Sequence, residues 1–135
     1  MREVTVSRFV RATPAELERW LEPARIVEAE GSFDAAGVTE EGDATVVTAS
    51  GPGLAFDLRF EERERGLYYE GAGEGGPFSR METHLEFERE NEGSRVTMRS
   101  AVELAAPIPF GDRIAAWKRR GELERAVDEI EARFG

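Results

Sequence analysis

An α+β domain is predicted: a curved antiparallel sheet of seven strands, two short helices after the first strand, and a long C-terminal helix over the concave face. Two observations carry this. From about residue 28 to 105 nearly every segment alternates apolar with polar residues, and turn residues recur at hairpin spacing. From Phe110 to Phe134 apolar residues instead recur at three- and four-residue steps. Neither a one-sided sheet nor an amphipathic helix can bury its apolar side alone, so the helix must lie across the sheet. A sheet curved around a helix leaves space between them, and that space is expected to hold a guest.

The elements follow in order. Val4, Val6 and Val10 share one parity of the first strand, and Arg8 falls on the same side. Thr13-Pro14-Ala15-Glu16 is a capping box with proline at the first helical position. Leu17, Trp20 and Leu21 form the stripe of that helix, Pro23 ends or restarts it, and a second short turn covers Ala24 to Val27. The remaining strands are expected at Glu28–Val38, Ala44–Ser50, Leu54–Glu62, Leu67–Gly71, Phe78–Glu88 and Arg95–Leu104. Leu54, Phe56, Leu58 and Phe60 show the alternation most plainly, and Glu, Arg and Thr fill the opposite parity on later strands. Pro107 and Pro109 mark the break before the last helix, where Phe110, Ile114 and Trp117 are followed by Leu123, Val127, Ile130 and Phe134. Gly121 interrupts that helix at a cost of about 1 kcal/mol relative to Ala.

The hairpin connections differ between the two ends of such a sheet. Turns at Glu40–Asp43, Glu62–Gly66 and Glu90–Gly93 are charged and close one end. Those at Gly51–Gly53, Gly71–Pro77 and Ala105–Gly111 are rich in Gly and Pro, with apolar residues beside them, and suit a pocket mouth.

The 135 residues are expected to form one domain, spanning 1–135, with a core that needs no staples. Cysteine is absent, which excludes disulfides and thiolate chemistry, and no signal-like segment is visible, so a cytoplasmic setting is expected. There are 28 acidic residues against 17 Arg and one Lys, Lys118, for a net charge of -10. This negative field repels phosphate backbones, so neither nucleic acid nor an anionic membrane is expected as a partner, and no apolar run is long enough for membrane insertion. Abundant Glu with almost no Lys resembles the proteins of salt-loving archaea, where charge is screened within roughly 3 Å at 1 M salt.

Candidates for chemistry are few. Gly71-Ala72-Gly73-Glu74-Gly75-Gly76 matches G-x-G-x-x-G in letters, but Pro77 and a strand follow where the dinucleotide mechanism needs a helix N-terminus. A hairpin loop is the reading. His84 is the sole histidine and shares parity with Glu82 and Glu86, on the outer face. No Ser-His-Asp set and no His-rich metal site can be assembled without another; no cofactor and no metal is expected. Arg8 turns toward the core and needs a carboxylate such as Glu103, a route to solvent, or a ligand anion. Thr83 and Ser100 share the inward parity, and of the adjacent tyrosines Leu67 parity favours Tyr69. The expected lining is therefore polar at Arg8, Tyr69, Thr83 and Ser100. Its apolar part comprises Trp20, Phe33, Phe56, Leu58, Met81 and Met98, with Phe110, Ile114 and Trp117 from the helix; each alone is equally a core residue.

The opening from Val6 to Leu21, with its Thr13-Pro14-Ala15-Glu16 helix start and Trp20, resembles the first strand and helix of the START-like (SRPBCC) superfamily. The strand meander and closing helix extend the resemblance over essentially the whole chain. It implies a helix-grip fold around a hydrophobic cavity. Such proteins bind lipids, sterols, quinones or polyketides, and some are cyclases, dehydratases or assembly factors. The segment from Ser50 to Gly76 is similar in style to one branch of that superfamily, associated with carbon monoxide dehydrogenase. No inward histidine is available as a cyclase base, so non-catalytic carriage of a small hydrophobic molecule is expected. The alternative is a polyketide cyclase- or dehydratase-like enzyme using Arg8, Tyr69 and a pocket carboxylate.

Overall fold

A computed structural model describes every residue of the chain except Glu74. The elements are β1 (Arg2–Val10), α1 (Pro14–Trp20), α2 (Pro23–Glu30), β2 (Asp34–Glu41), β3 (Ala44–Gly51), β4 (Leu54–Arg63), β5 (Gly66–Ala72), β6 (Phe78–Glu90), β7 (Gly93–Leu104) and α3 (Gly111–Phe134). The strands form one seven-stranded antiparallel sheet in the order β1-β7-β6-β5-β4-β3-β2. Consecutive strands from β2 to β7 are thus hairpin neighbours. Among the described residues only β1 pairs out of sequence, running from Arg2↔Val102 to Val10↔Ser94 along β7.

The capping box forms as the sequence dictates. The Glu16 amide donates to Thr13 Oγ1 at 3.2 Å, and the Thr13 amide donates to Glu16 Oε1 at 3.0 Å. One boundary differs from expectation. The segment from Glu28 begins not as strand but as the last turn of α2, and β2 starts at Asp34. Pro23 restarts a helix whose buried side holds Ile26, Val27, Ala29 and Glu30, and Gly31 in the left-handed conformation (φ 81°) ends it. The G-x-G-x-x-G stretch runs from the end of β5 toward β6 with no helix after it, and its Glu74 lies outside the described residues.

Helices α2 and α3 cover the concave face side by side, α3 over β1 and β7 and α2 over β2 and β3. Between them and the sheet lies the core, including Leu17, Ile26, Val47, Phe60, Leu85 and Leu123. The inward side of α3 carries Ala115, Arg119, Glu122, Leu123, Ala126, Val127 and Ile130. This corrects the expected phase of its first half. Phe110, Ile114 and Trp117 face solvent, with Trp117 79% and Phe110 71% exposed. From Trp117 to Leu123 is a step of six residues, which at 3.6 residues per turn carries a side chain well off the face, whereas Arg119 to Leu123 keeps it.

Candidate functional site

Strand register assembles the polar part of the site. Tyr69 of β5 is the cross-strand partner of Thr83 of β6, and Thr83 is the partner of Ser100 of β7. Direct partners point to the same side of a sheet, so the alternation that turns one inward turns all three. They form a short hydroxyl row across the concave face, each buried. Arg119 descends from α3 onto this row.

Arg119 is 1% exposed, and all of its guanidinium nitrogens are engaged. Nε donates to Ser100 Oγ at 3.0 Å, while Nη2 donates to Thr83 Oγ1 at 2.7 Å and to Tyr69 Oη at 3.3 Å. Glu30, at the C-terminal end of α2, receives both prongs: Nη1 to Oε1 at 2.5 Å and Nη2 to Oε2 at 3.1 Å. Nη1 also donates to Glu122 Oε1 at 3.0 Å, one turn along α3. The Tyr69 phenol donates to Glu30 Oε2. Glu122 Oε2 accepts from Ser32 Oγ at 2.6 Å and from Lys118 Nζ at 2.9 Å. Among the described residues no buried side-chain nitrogen or oxygen lacks a partner.

The electrostatics follow from burial working against pairing. Burial alone would lower the Arg119 pKa, but Glu30, then Tyr69 and Glu122, more than offset it, and the guanidinium stays charged. Burial would raise the Glu122 carboxyl, but Arg119, Ser32 and Lys118 hold it below the usual carboxylate value. The Tyr69 phenol is pushed well above its ordinary range, first by burial and then by the Glu30 carboxylate, so it remains a donor. Two cations, Arg119 and Lys118, balance two anions, Glu30 and Glu122.

Beside this network lies an apolar hollow. Val27, Phe33, Phe56, Leu58, Phe78 and Met81 wall it, with Glu30, Arg119 and Glu122 as its polar floor. Strands β5 and β6 stay paired only to Glu70↔Glu82, and the split beyond holds an adjoining hollow with Phe56, Leu58, Pro77, Phe78 and Met81 as shared wall. Gly71, the partner of inward-facing Leu58, contributes no side chain there, and a Cβ added to it would meet nothing within 4 Å. The Phe33 and Phe56 rings meet edge to face, with centroids 4.9 Å apart. The hollow therefore sits at the Gly/Pro-rich end of the sheet.

The space is smaller than the sequence leads one to expect, and its polar groups are charged. The inner hollow measures about 20 Å³ and the adjoining one about 50 Å³. A water needs about 10–15 Å³ by such a measure, so anything larger than a few waters requires the half-buried rings of Phe33, Phe56 or Phe78 to turn outward. A larger concavity of about 370 Å³ lies elsewhere, lined by Arg63, Glu64, Arg65, His84, Glu88 and Arg95 among others. It is a more open groove, in which charges of both signs surround Leu67 and Phe87. His84 stands there against Tyr68, whose phenol burial and Glu70 push up to about 12.

The expected lining residues separate into three groups. Phe33, Phe56, Leu58 and Met81 meet in the hollow, and Tyr69, Thr83 and Ser100 meet in the network. The remainder lie elsewhere. Arg8 donates through Nη1 to Asp128 at 2.8 Å and to Glu131 at 2.9 Å, so its partners are helix carboxylates rather than Glu103 or a ligand. Trp20 packs edge-on against Phe134, 6.0 Å between centroids, at the far end of α3. Met98 is fully buried between Val6 and Leu85 in the sheet register, and Phe110, Ile114 and Trp117 face out. Sequence reasoning missed Glu30, Lys118, Arg119 and Glu122. The signal was available for the last two: stepping back from Leu123 in helical phase lands on Arg119, and Glu122 shares that face.

Among the described residues no helix is long and apolar enough to cross a membrane, and no three His, Cys, Asp or Glu side chains gather as a metal would need. No family model and no curated protein matches the sequence. Solved structures do. The TTHA0849 protein of Thermus thermophilus is 22% identical over 98% of this chain and 97% of its own, with a TM-score of 0.74. A START superfamily protein from Mycobacterium smegmatis is 12% identical over 98% and 96%, with a TM-score of 0.75. The di-domain ARO/CYC StfQ of the steffimycin biosynthetic pathway aligns with 97% of this chain across 51% of its own length, at 13% identity and a TM-score of 0.65. At these identities the likeness is one of architecture, and the architecture it shows for this chain, two short helices and a long one gripping a seven-stranded sheet, is the START-like helix-grip fold.

Proposed function

We propose that this chain binds and carries a small, predominantly apolar molecule between the sheet and α3, without converting it. The observations that carry the reading are the hollow walled by Phe33, Phe56, Leu58, Phe78 and Met81 beside a polar floor, and the adjoining hollow, into which Gly71 sends no side chain. A native core closes voids with side chains, and an inward strand position left as glycine forgoes that packing. The neighbours named for START and ARO/CYC proteins are in keeping with a ligand-binding fold.

Carriage is favoured over turnover by how the acid–base groups are used. Both oxygens of Glu30 hold Arg119, one of them also takes the Tyr69 proton donor, and Glu122 is held by three donors. A general base must reach a substrate proton, and here each carboxylate is committed to protein donors. Cyclase- or dehydratase-like chemistry would have to break this set first.

The test is titration with N-phenyl-1-naphthylamine, a neutral dye that brightens in apolar enclosures. Wild type is expected to give saturable one-site binding, and Gly71→Leu, whose added side chain enters open space, to abolish it while retaining the thermal transition. Absence of saturable binding to wild type, or equal binding by a folded Gly71→Leu variant, overturns the reading.

A further inference from the structure

Lys118 is the chain's single lysine against 17 arginines. It stands against two of the rings that wall the hollow. Its ammonium lies 5.8 Å from the ring centroids of both Phe33 and Phe78, and 2.9 Å from Glu122 Oε2 on the polar floor. The side chain is 35% exposed, whereas Glu122 beneath it is 3% exposed.

A count of donors narrows what a guest could recognise. The guanidinium of Arg119 has five N–H groups, and Ser100, Thr83, Tyr69, Glu30 and Glu122 take them all. The Tyr69 proton goes to Glu30. An ammonium has three N–H groups, and among the described residues Lys118 has one acceptor, Glu122. Of the two cations at the polar floor, the one with donors still available is therefore Lys118. An arginine here would present a broad planar fork to the two rings, whereas a compact ammonium on a flexible stem can turn toward a guest while keeping Glu122.

Charge limits the guest further. The floor is balanced, Arg119 and Lys118 against Glu30 and Glu122, in surroundings where an added uncompensated charge is costly. A carboxylate guest would leave the site one charge negative, and an amine would leave it one charge positive and give Lys118 nothing to donate to. A neutral acceptor oxygen satisfies the ammonium and leaves the balance intact.

From this we infer that Lys118 is the specificity-determining group of the site, and that the ligand class is a neutral apolar molecule whose polar end is a carbonyl oxygen accepting from Nζ. The inference rests on the carrier reading above and adds to it the ligand's charge and polar group.

Three probes of one shape test it by equilibrium dialysis: 2-acetylnaphthalene (neutral ketone), 2-ethylnaphthalene (no acceptor) and 2-naphthoate (anion). Wild type is expected to prefer the ketone over both others. Lys118→Met, which keeps the stem, is expected to lower ketone affinity about ten-fold, the scale of one hydrogen bond to a charged group, and to leave 2-ethylnaphthalene unchanged. Should unpaired Glu122 prevent that variant from folding, Lys118→Met with Glu122→Gln removes one charge of each sign and is expected to lose the same preference. Tighter binding of 2-naphthoate than of the ketone overturns the inference, as does a ketone preference that survives loss of Lys118; either leaves the carrier reading standing. Failure of all three probes to bind wild type overturns both together.

Discussion

Arg119 and Glu30 stand 89 residues apart in sequence and meet as a two-pronged ion pair, Nη1–Oε1 at 2.5 Å and Nη2–Oε2 at 3.1 Å, sealed between two helices and a sheet. The pair joins the end of α2 to the middle of α3 and pins both to the hydroxyl row of β5, β6 and β7. A buried pair of this kind contributes little net stability relative to apolar packing, because desolvation offsets attraction. Its consequence is asymmetric: losing one partner is far worse than losing both.

Arg119→Met is therefore expected to destabilise the protein by about 3–5 kcal/mol, since Glu30 and Glu122 are left buried without their main cation. Arg119→Met with Glu30→Gln should lose distinctly less than the sum of the two single changes. Urea unfolding of the four proteins in a double-mutant cycle checks this. Additive losses would show that the pair does not couple.

Glu122 sets an acid limit. Its carboxyl titrates below the usual value of 4.5, so its contribution is complete above that pH and is withdrawn as pH falls through the lowered value in the folded protein. The stability difference between wild type and Glu122→Gln should be constant at neutral pH and shrink below about pH 4.5. A difference that stays flat through the acid range would contradict the assignment.

Tyr69 sets an alkaline one. The phenol is raised above 10.0 in the fold, so above that pH the unfolded chain releases a proton that the folded chain keeps. Its contribution is thus complete below pH 10 and declines as pH climbs toward the folded value. Tyr69→Phe should unfold more readily at neutral pH, where Glu30 loses a donor, yet show a shallower decline above pH 10. An unchanged alkaline slope would count against a buried neutral phenol.

Trp117 reports on the rotation of α3. In a Trp20→Phe background, Trp117 emission should be readily quenched by acrylamide, as befits a side chain 79% exposed. Ile114→Ser with Trp117→Ser should change stability by less than about 1 kcal/mol, at the scale of two surface substitutions. A larger loss would mean that this stripe packs inward.

The fold is legible in the sequence because its signals are local and mutually consistent. Strand alternation, the Thr13–Glu16 box and the proline-marked start of the last helix each name an element, and elements of these kinds pack in few ways. Tyr69, Thr83 and Ser100 are legible for the same reason, since parity on a strand fixes a face. The last helix misleads because its apolar residues do not all point inward. Phe110, Ile114 and Trp117 form a stripe of their own, out of phase with Leu123, Val127 and Ile130. Keeping the phase and accepting a buried arginine leads to Arg119. Glu30 is hidden differently: reading residues 28–38 as strand gives it no helix end from which to meet that arginine, and nothing local marks a partner so distant along the chain.

The place of β1 beside β7 also bears on how the molecule is made. Within this domain a ribosome delivers Arg2–Val10 before the hairpins, yet its strand partner, Gly93–Leu104, emerges after them. The hairpins from β2 onward can zip up as they appear, while β1 waits with neither edge paired. Completion of the sheet is thus deferred until β7 has emerged, and the interval exposes β1 to whatever strand-binding chaperone or stray β-edge reaches it first.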